Sequence, residues 1–190
     1  MRARWVVCAR RDRCETPDAK RVASGSLDPV AILRVLVKND TRFVVIGGIA
    51  GALHGSTTLT VDLDILYDRS GDNIQRLARA LDVLGAVRRD LPDGVPGPID
   101  ARALRNGTNF LLTTRHGELD CIGETPSGRF TYTQIAPTAE RLRIGTDLEV
   151  DVASLDELIR MKRAAGRAKD RIEVENLSAL RDERERREAR

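Results

Sequence analysis

Aromatic residues are scarce, at 3% of 190 residues. A platform that stacks successive single-stranded bases on several rings is therefore excluded. Cysteine is scarce too. Cys8, Cys14 and Cys121 are odd in number and stand at no metal-site spacing, which argues against a disulfide framework and fits a reducing compartment. No run approaches the roughly 18 apolar residues of a membrane span. Trp5-Val6-Val7-Cys8-Ala9 is too short for a signal-peptide core. The expectation is a cytoplasmic protein with no membrane partner. Lysine is nearly absent as well: of 32 basic residues only Lys20, Lys38, Lys162 and Lys169 are lysines. Arginine grips phosphate in a two-pronged fork, but a bias this general reads first as compositional.

What is present is a globular balance, 41% hydrophobic and 32% charged. The chain is long enough for one sizeable core. Its charge is segregated. Residues 1–22 hold seven Arg/Lys against three Asp/Glu, and residues 160–190 hold eleven against seven, so with a net charge of +3 the middle carries −5. An acidic middle suits a site that collects divalent cations, and basic ends suit a polyanionic partner or simply a solvated surface.

Residues 1–25 form a basic arm with no sustained period and are expected to be flexible; a core over 26–153 and a helical region over 154–190 follow. Leu27, Val30, Ile32, Leu33, Leu36 and Val37 recur at helical spacing, with Ser26 or Asp28 as cap and Pro29 in the first turn. Phe43-Val44-Val45-Ile46 is a short apolar, β-branched run, expected as a buried strand ended by Gly47-Gly48, with a short helix from Ile49 to His54. Leu63 to Tyr67 predicts a strand, Asn73 to Leu84 a helix closed by Gly85, and 91–98 a turn-rich loop. Phe110–Thr114 and Glu118–Ile122 predict a hairpin around His116-Gly117, and Arg141–Ile144 and Leu148–Val152 two more strands. Ser154 and Glu157 have capping-box spacing for a helix to about Ala165, which Gly166 interrupts before a last charged helix from about Lys169 whose end, from Arg181, is expected to fray.

Three features carry chemistry. Gly47-Gly48, between strand and helix, lets backbone approach a ligand and puts free N–H groups beside it, a place for phosphate. Asp62 and Asp64 alternate with apolar residues, so both carboxylates leave one strand face, where they repel unless a cation lies between them. Asp120 stands in an apolar strand, opposite in facing to Leu119 and Cys121. It suits a third metal ligand or a base that takes a proton from an attacking hydroxyl. Each has a plainer reading alone: a chain turn, a solvated edge, a solvent face. Ser56, Thr57, Thr58 and Thr60 offer hydroxyls to a phosphate, or are loop hydroxyls without a role. His54 reads as a packed helix-end residue and His116 as a turn residue.

In combination the order strand, Gly47-Gly48, helix, Asp62-Leu63-Asp64, then Asp120 resembles the DNA polymerase beta-like nucleotidyltransferases over about residues 43–122. GGIAGALHGSTTLTVDLDIL, together with Leu158 to Lys162 and Arg167 to Asp170, is similar to the AbiEii/MenT branch of toxin nucleotidyltransferases. The resemblance implies an α+β fold: a polymerase beta-like core with a small mixed sheet flanked by helices, and a helical C-terminal part. It implies Mg²⁺ or Mn²⁺ on Asp62, Asp64 and Asp120, with Lys162 and Asp170 as further catalytic residues. Nucleotide would lie against Gly47, Gly48, Ser56, Thr57, Thr58 and Lys162. The implied activity adds nucleotides from an NTP, CTP among them, to the 3′ end of tRNA, blocking aminoacylation and translation. The implied biology is a toxin with a cognate antitoxin. The arm has no counterpart in that family, and the interval from Lys162 to Asp170 is short for it. The same core would serve a small-molecule or protein nucleotidyltransferase, or an inactive nucleotide-binding module.

Overall fold

The computed structural model describes residues 26–91, 99–125 and 130–189. The basic arm, and all but Leu91 of the turn-rich loop, lie outside the described residues. Helix α1 (Pro29–Lys38) starts where Asp28 accepts a hydrogen bond from the Ala31 amide at 3.0 Å, so Asp28 is the cap. The apolar run becomes β1 (Phe43–Ile46), buried throughout. Helix α2 (Gly47–Leu53) begins on the glycines themselves. Gly47-Gly48 is thus the first turn of the helix rather than a separate link, because left-handed Gly47 turns the chain within one residue of the strand.

Strand β2 (Asp62–Tyr67) leads to α3 (Gly71–Leu84), stopped at Gly85, then to the two-residue β3 (Val87–Arg88) and α4 (Ala101–Asn106). The hairpin is β4 (Asn109–Thr114) and β5 (Gly117–Ile122). A short α5 (Tyr132–Ile135) and a 3₁₀ turn precede a second hairpin, β6 (Glu140–Ile144) and β7 (Leu148–Val152). Helices α6 (Leu155–Ala165) and α7 (Ala168–Glu188) close the chain. Ser154 caps α6 by accepting from the Glu157 amide at 3.4 Å. The reciprocal half of the capping box does not form, because the Glu157 carboxylate turns to Arg160 instead. The end of α7 stays helical to Glu188 rather than fraying from Arg181, its charges paired at Arg184–Glu140, Arg184–Glu188 and Arg187–Glu183.

The seven strands among the described residues form one mixed sheet in the order β3-β4-β5-β2-β1-β7-β6. The pairs β2–β5 and β1–β7 are parallel and the rest antiparallel. Alternation along β2 and β5 sends Leu63, Ile65, Leu119 and Cys121, all fully buried, to one face. Helices α1 and α3 add Ile32, Leu36, Leu77 and Leu81 to the same core. The C-terminal helices share it through Leu155, Leu158, Ile159 and Leu177. At about 25 cal/mol per Å² of buried apolar surface, such side chains are the main attraction holding α6 and α7 to the rest of the core. Their docking sets the remaining walls of the site.

Candidate active site

The register places the acids. Parallel pairing of β2 with β5 sets Asp64 beside Asp120 and Asp62 beside Glu118. Four carboxylates therefore leave one face of two neighbouring strands. The row continues to Ile46 on β1 and to Leu111 on β4. Asp62, Asp64 and Asp120 each bring an oxygen within 4.8 Å of the others. Crowding and burial leave a clear electrostatic mark. Burial, then the charges of Asp62 and Asp120, push the Asp64 carboxyl up to about 7, although Lys162 and Arg167 pull the other way. Asp120 is pushed up to about 6 by burial, opposed by Arg89, with Asp62 and Glu118 adding to the rise. Three carboxylates gathered this closely are a set of hard oxygen donors matched to Mg²⁺ or Mn²⁺. The residues present therefore fit a divalent cation.

The glycines make room for these acids. A Cβ on Gly47, whose φ is +68°, would lie 2.0 Å from Oδ2 of Asp64. One on Gly48 would meet Cβ of Thr60 at 2.6 Å. Close approach is indeed what the glycines provide, but the group that approaches Gly47 is the protein's own carboxylate. Thr60 Oγ1 in turn donates to Oδ1 of Asp62 at 2.6 Å, fixing that acid.

Helices α6 and α7 supply the cations. Lys162 Nζ lies 3.7 Å from Oδ1 of Asp170 and is hydrogen-bonded to Glu173. Arg167 Nε donates to Oδ2 of Asp170 at 2.8 Å. Burial alone would raise the Asp170 carboxyl, but the Arg167 hydrogen bond and the charges of Arg167 and Lys162 hold it below its usual range. Asp170 is 1% exposed and is the buried anchor of this cluster.

Two clefts meet at the acids. One, of about 350 Å³, the more polar of the two, includes Gly48, Thr58, Leu59, Thr60, Asp62 and Glu173 in its walls. The other, of about 610 Å³, is mostly apolar, walled by Leu111, Ile122, Leu158, Met161 and Ala164. Asp64, Asp120, Lys162 and Arg167 border both. Of the hydroxyls expected at a phosphate, Thr58 and Thr60 line the more polar cleft. Ser56 stands behind, donating to Thr58 Oγ1 at 3.1 Å, and Thr57 is exposed on the loop. His54 Nε2 meets the Ala153 carbonyl at 2.9 Å, a packing role at the end of α2, and His116 sits in the β4–β5 turn.

Four contributors escaped sequence reasoning, the first being Arg167, which holds Asp170 and borders both clefts. Arg89 donates from Nη2 to Oδ1 of Asp120 at 2.6 Å, and from Nη1 to Glu118. Glu118 carried a signal, since Glu118-Leu119-Asp120 repeats the acid-x-acid spacing of Asp62-Leu63-Asp64. Glu173 follows Asp170 by one helical turn, which places both toward Lys162. Arg89 carried none, being one of many arginines.

No family model matches the chain. No curated protein matches it in sequence. Among solved structures it is similar to the antibiotic-resistance factor ANT(2'')-Ia, at 15% identity and a TM-score of 0.48, over 84% of this chain and 92% of that one. So loose a likeness carries no argument, and the reading below rests on the site.

Proposed function

We propose that the chain is a metal-dependent nucleotidyltransferase of the polymerase beta-like kind, which moves a nucleotide from an NTP, CTP among them, to the 3′ end of tRNA. The observation that carries this reading is the convergence of Asp62, Asp64 and Asp120 within 4.8 Å, bordered by Lys162 and Arg167. Such an array neutralises and positions a triphosphate, which is most of what phosphoryl-type transfer requires.

Asp62, Asp64 and Asp120 would hold Mg²⁺ or Mn²⁺. When bound, the cation offsets negative charge on the attacking and leaving oxygens. Lys162 and Arg167 face the triphosphate, with Thr58 as hydroxyl donor and Ser56 and Thr57 in the same loop beside Gly47 and Gly48. Asp170 holds both cations in place. The acceptor 3′-oxygen attacks the α-phosphorus and a new P–O bond forms. The bond to the bridging oxygen of the β-phosphate breaks, and pyrophosphate leaves with that electron pair. In this reading Asp120 is the group that takes the hydroxyl proton. A tRNA so capped cannot be aminoacylated, so the protein acts as a toxin held in check by an antitoxin.

A second reading is a small cationic acceptor. The mostly apolar cleft of about 610 Å³ that opens beside Asp64 and Asp120 favours it. Acceptor affinity separates the two. RNA binding weakens steeply as salt rises, because counterions are released, and Asp62→Ala or Asp64→Ala should relieve growth arrest. Arrest that persists in both variants would overturn the toxin reading, and salt-independent acceptor affinity would favour the small molecule.

A further inference from the structure

Arg89 follows β3, and its amide donates to the Leu111 carbonyl at 3.0 Å. That bond extends the row Ile46, Asp64, Asp120, Leu111 by one position, so Arg89 lies on the face that carries the acids. Its guanidinium passes over Leu111 to reach β5. It bonds Oδ1 of Asp120 and the Glu118 carboxylate, which stand two residues apart on one strand face. Asp120 therefore has Arg89 on its β4 side and Asp64 on its β2 side. The Arg89 side chain is 23% exposed and that of Asp120 11%, so the pair is largely removed from water. A fork that joins two carboxylates fixes orientation in a way that a single charge does not.

We propose that Arg89 is a positioning residue for Asp120. By holding one carboxylate oxygen from the β4 side, it leaves the other for a divalent cation shared with Asp62 and Asp64. It also offsets part of the repulsion among four neighbouring acids. The inference rests on the metal-dependent reading above. Glu118 is the brace that keeps Arg89 in place, and Thr60 plays the corresponding part for Asp62.

The test is Mn²⁺ affinity, followed by electron paramagnetic resonance of free Mn²⁺, in the native protein, Arg89→Met and Arg88→Met. Arg88 is the neighbouring arginine of opposite facing, paired with Asp90. Partners that orient metal ligands are worth about 10- to 100-fold in affinity. Arg89→Met should weaken Mn²⁺ binding by at least about 10-fold, with its circular dichroism unchanged, and Arg88→Met should leave binding as it is. Arg89→Gln, which keeps a shorter donor, gives the same reading if the Met variant does not fold. Native or tighter Mn²⁺ affinity in folded Arg89 variants would overturn the inference, tighter binding meaning that Arg89 competes with the cation. Equal weakening in Arg88→Met would also overturn it, by reducing the effect to bulk charge. If the native protein binds no Mn²⁺, the metal-dependent reading itself falls. If it binds and Arg89→Met binds equally, only the role of Arg89 falls.

Discussion

Asp64 lies beneath the two C-terminal helices, beside two other acids, and its carboxyl is pushed up to about 7. The folded chain thus takes up a proton there more readily than the unfolded chain, whose value is 3.8. This group's contribution to stability is complete below that unfolded value and is lost as pH rises through about 7. Asp64→Asn cannot ionise and escapes the loss. In the absence of metal it should melt higher than the native protein near pH 8, with the gap narrowing toward pH 4. Mn²⁺ should raise the native melting temperature at pH 8 and leave Asp64→Asn unmoved. A variant that melts lower than the native protein at pH 8 would show that the charge is already compensated. Gly47 gives a second expectation. Gly47→Ala meets a left-handed backbone, worth roughly 1–2 kcal/mol, and a carboxylate at 2.0 Å. It should lose both stability and Mn²⁺ affinity. Gly166→Ala, at φ +64° with nothing nearer its Cβ than 4.0 Å, should lose stability alone. Denaturant midpoints and Mn²⁺ titrations check both. At this scale Asp62, Asp64 and Asp120 were legible in the sequence, because alternation alone tells which side chains share a face, and Glu118 carried the same spacing unread. Arg89 was not, because its partners come from register across three strands.

Helices α6 and α7 are joined by a turn at Gly166 and tied by Lys162, Arg167, Asp170 and Glu173. Asp170 is the buried member. Removing one partner from a buried ion cluster leaves the others uncompensated, at a cost of about 3–5 kcal/mol. Lys162 keeps Glu173 when Asp170 is lost, so Asp170→Ala should cost about 3 kcal/mol in denaturant unfolding, while Asp170→Asn costs less. A change under about 1 kcal/mol would mean that the cluster is solvated as a surface pair is. The cap at Ser154 and the break at Gly166 made this element pair legible. Two short helices went unread although each carried a signal. Asp100 caps α4, accepting from Ala103 at 2.7 Å, and Thr131 and Gln134 form the capping box of α5. Neither helix is long enough to show a full apolar period, and α4 follows a Gly- and Pro-rich stretch that draws the reading toward loop. The true extent of α7 was missed for another reason. Its end is all charge, and what orders it are partners far back in the chain, Glu140 and Asp156.

The whole molecule places an acid-lined row at the meeting of two clefts, one more polar and one mostly apolar, between the sheet and its C-terminal helices. The single strands and the C-terminal helices follow from the periodicities of the chain, whereas their assembly into a mixed sheet was implied by the family resemblance. The two clefts do not follow from the periodicities, since they lie between the C-terminal helices, the strands β2 and β5 and the loop before β2, elements far apart in the chain. Acceptor choice belongs to this scale. With tRNA as acceptor, affinity should fall steeply between low and moderate salt, whereas a small cationic acceptor in an apolar-walled cleft should be held with little change. The central claim is nucleotidyl transfer by the three acids. Its most direct test is incubation with Mg²⁺, total tRNA and each α-phosphate-labelled NTP in turn, with Asp64→Asn alongside. The account predicts label on tRNA from at least one NTP, with pyrophosphate released in equal amount and neither formed by Asp64→Asn. Label that forms equally well in Asp64→Asn, or a native protein that neither transfers label nor binds any NTP when Mg²⁺ is present, would contradict it.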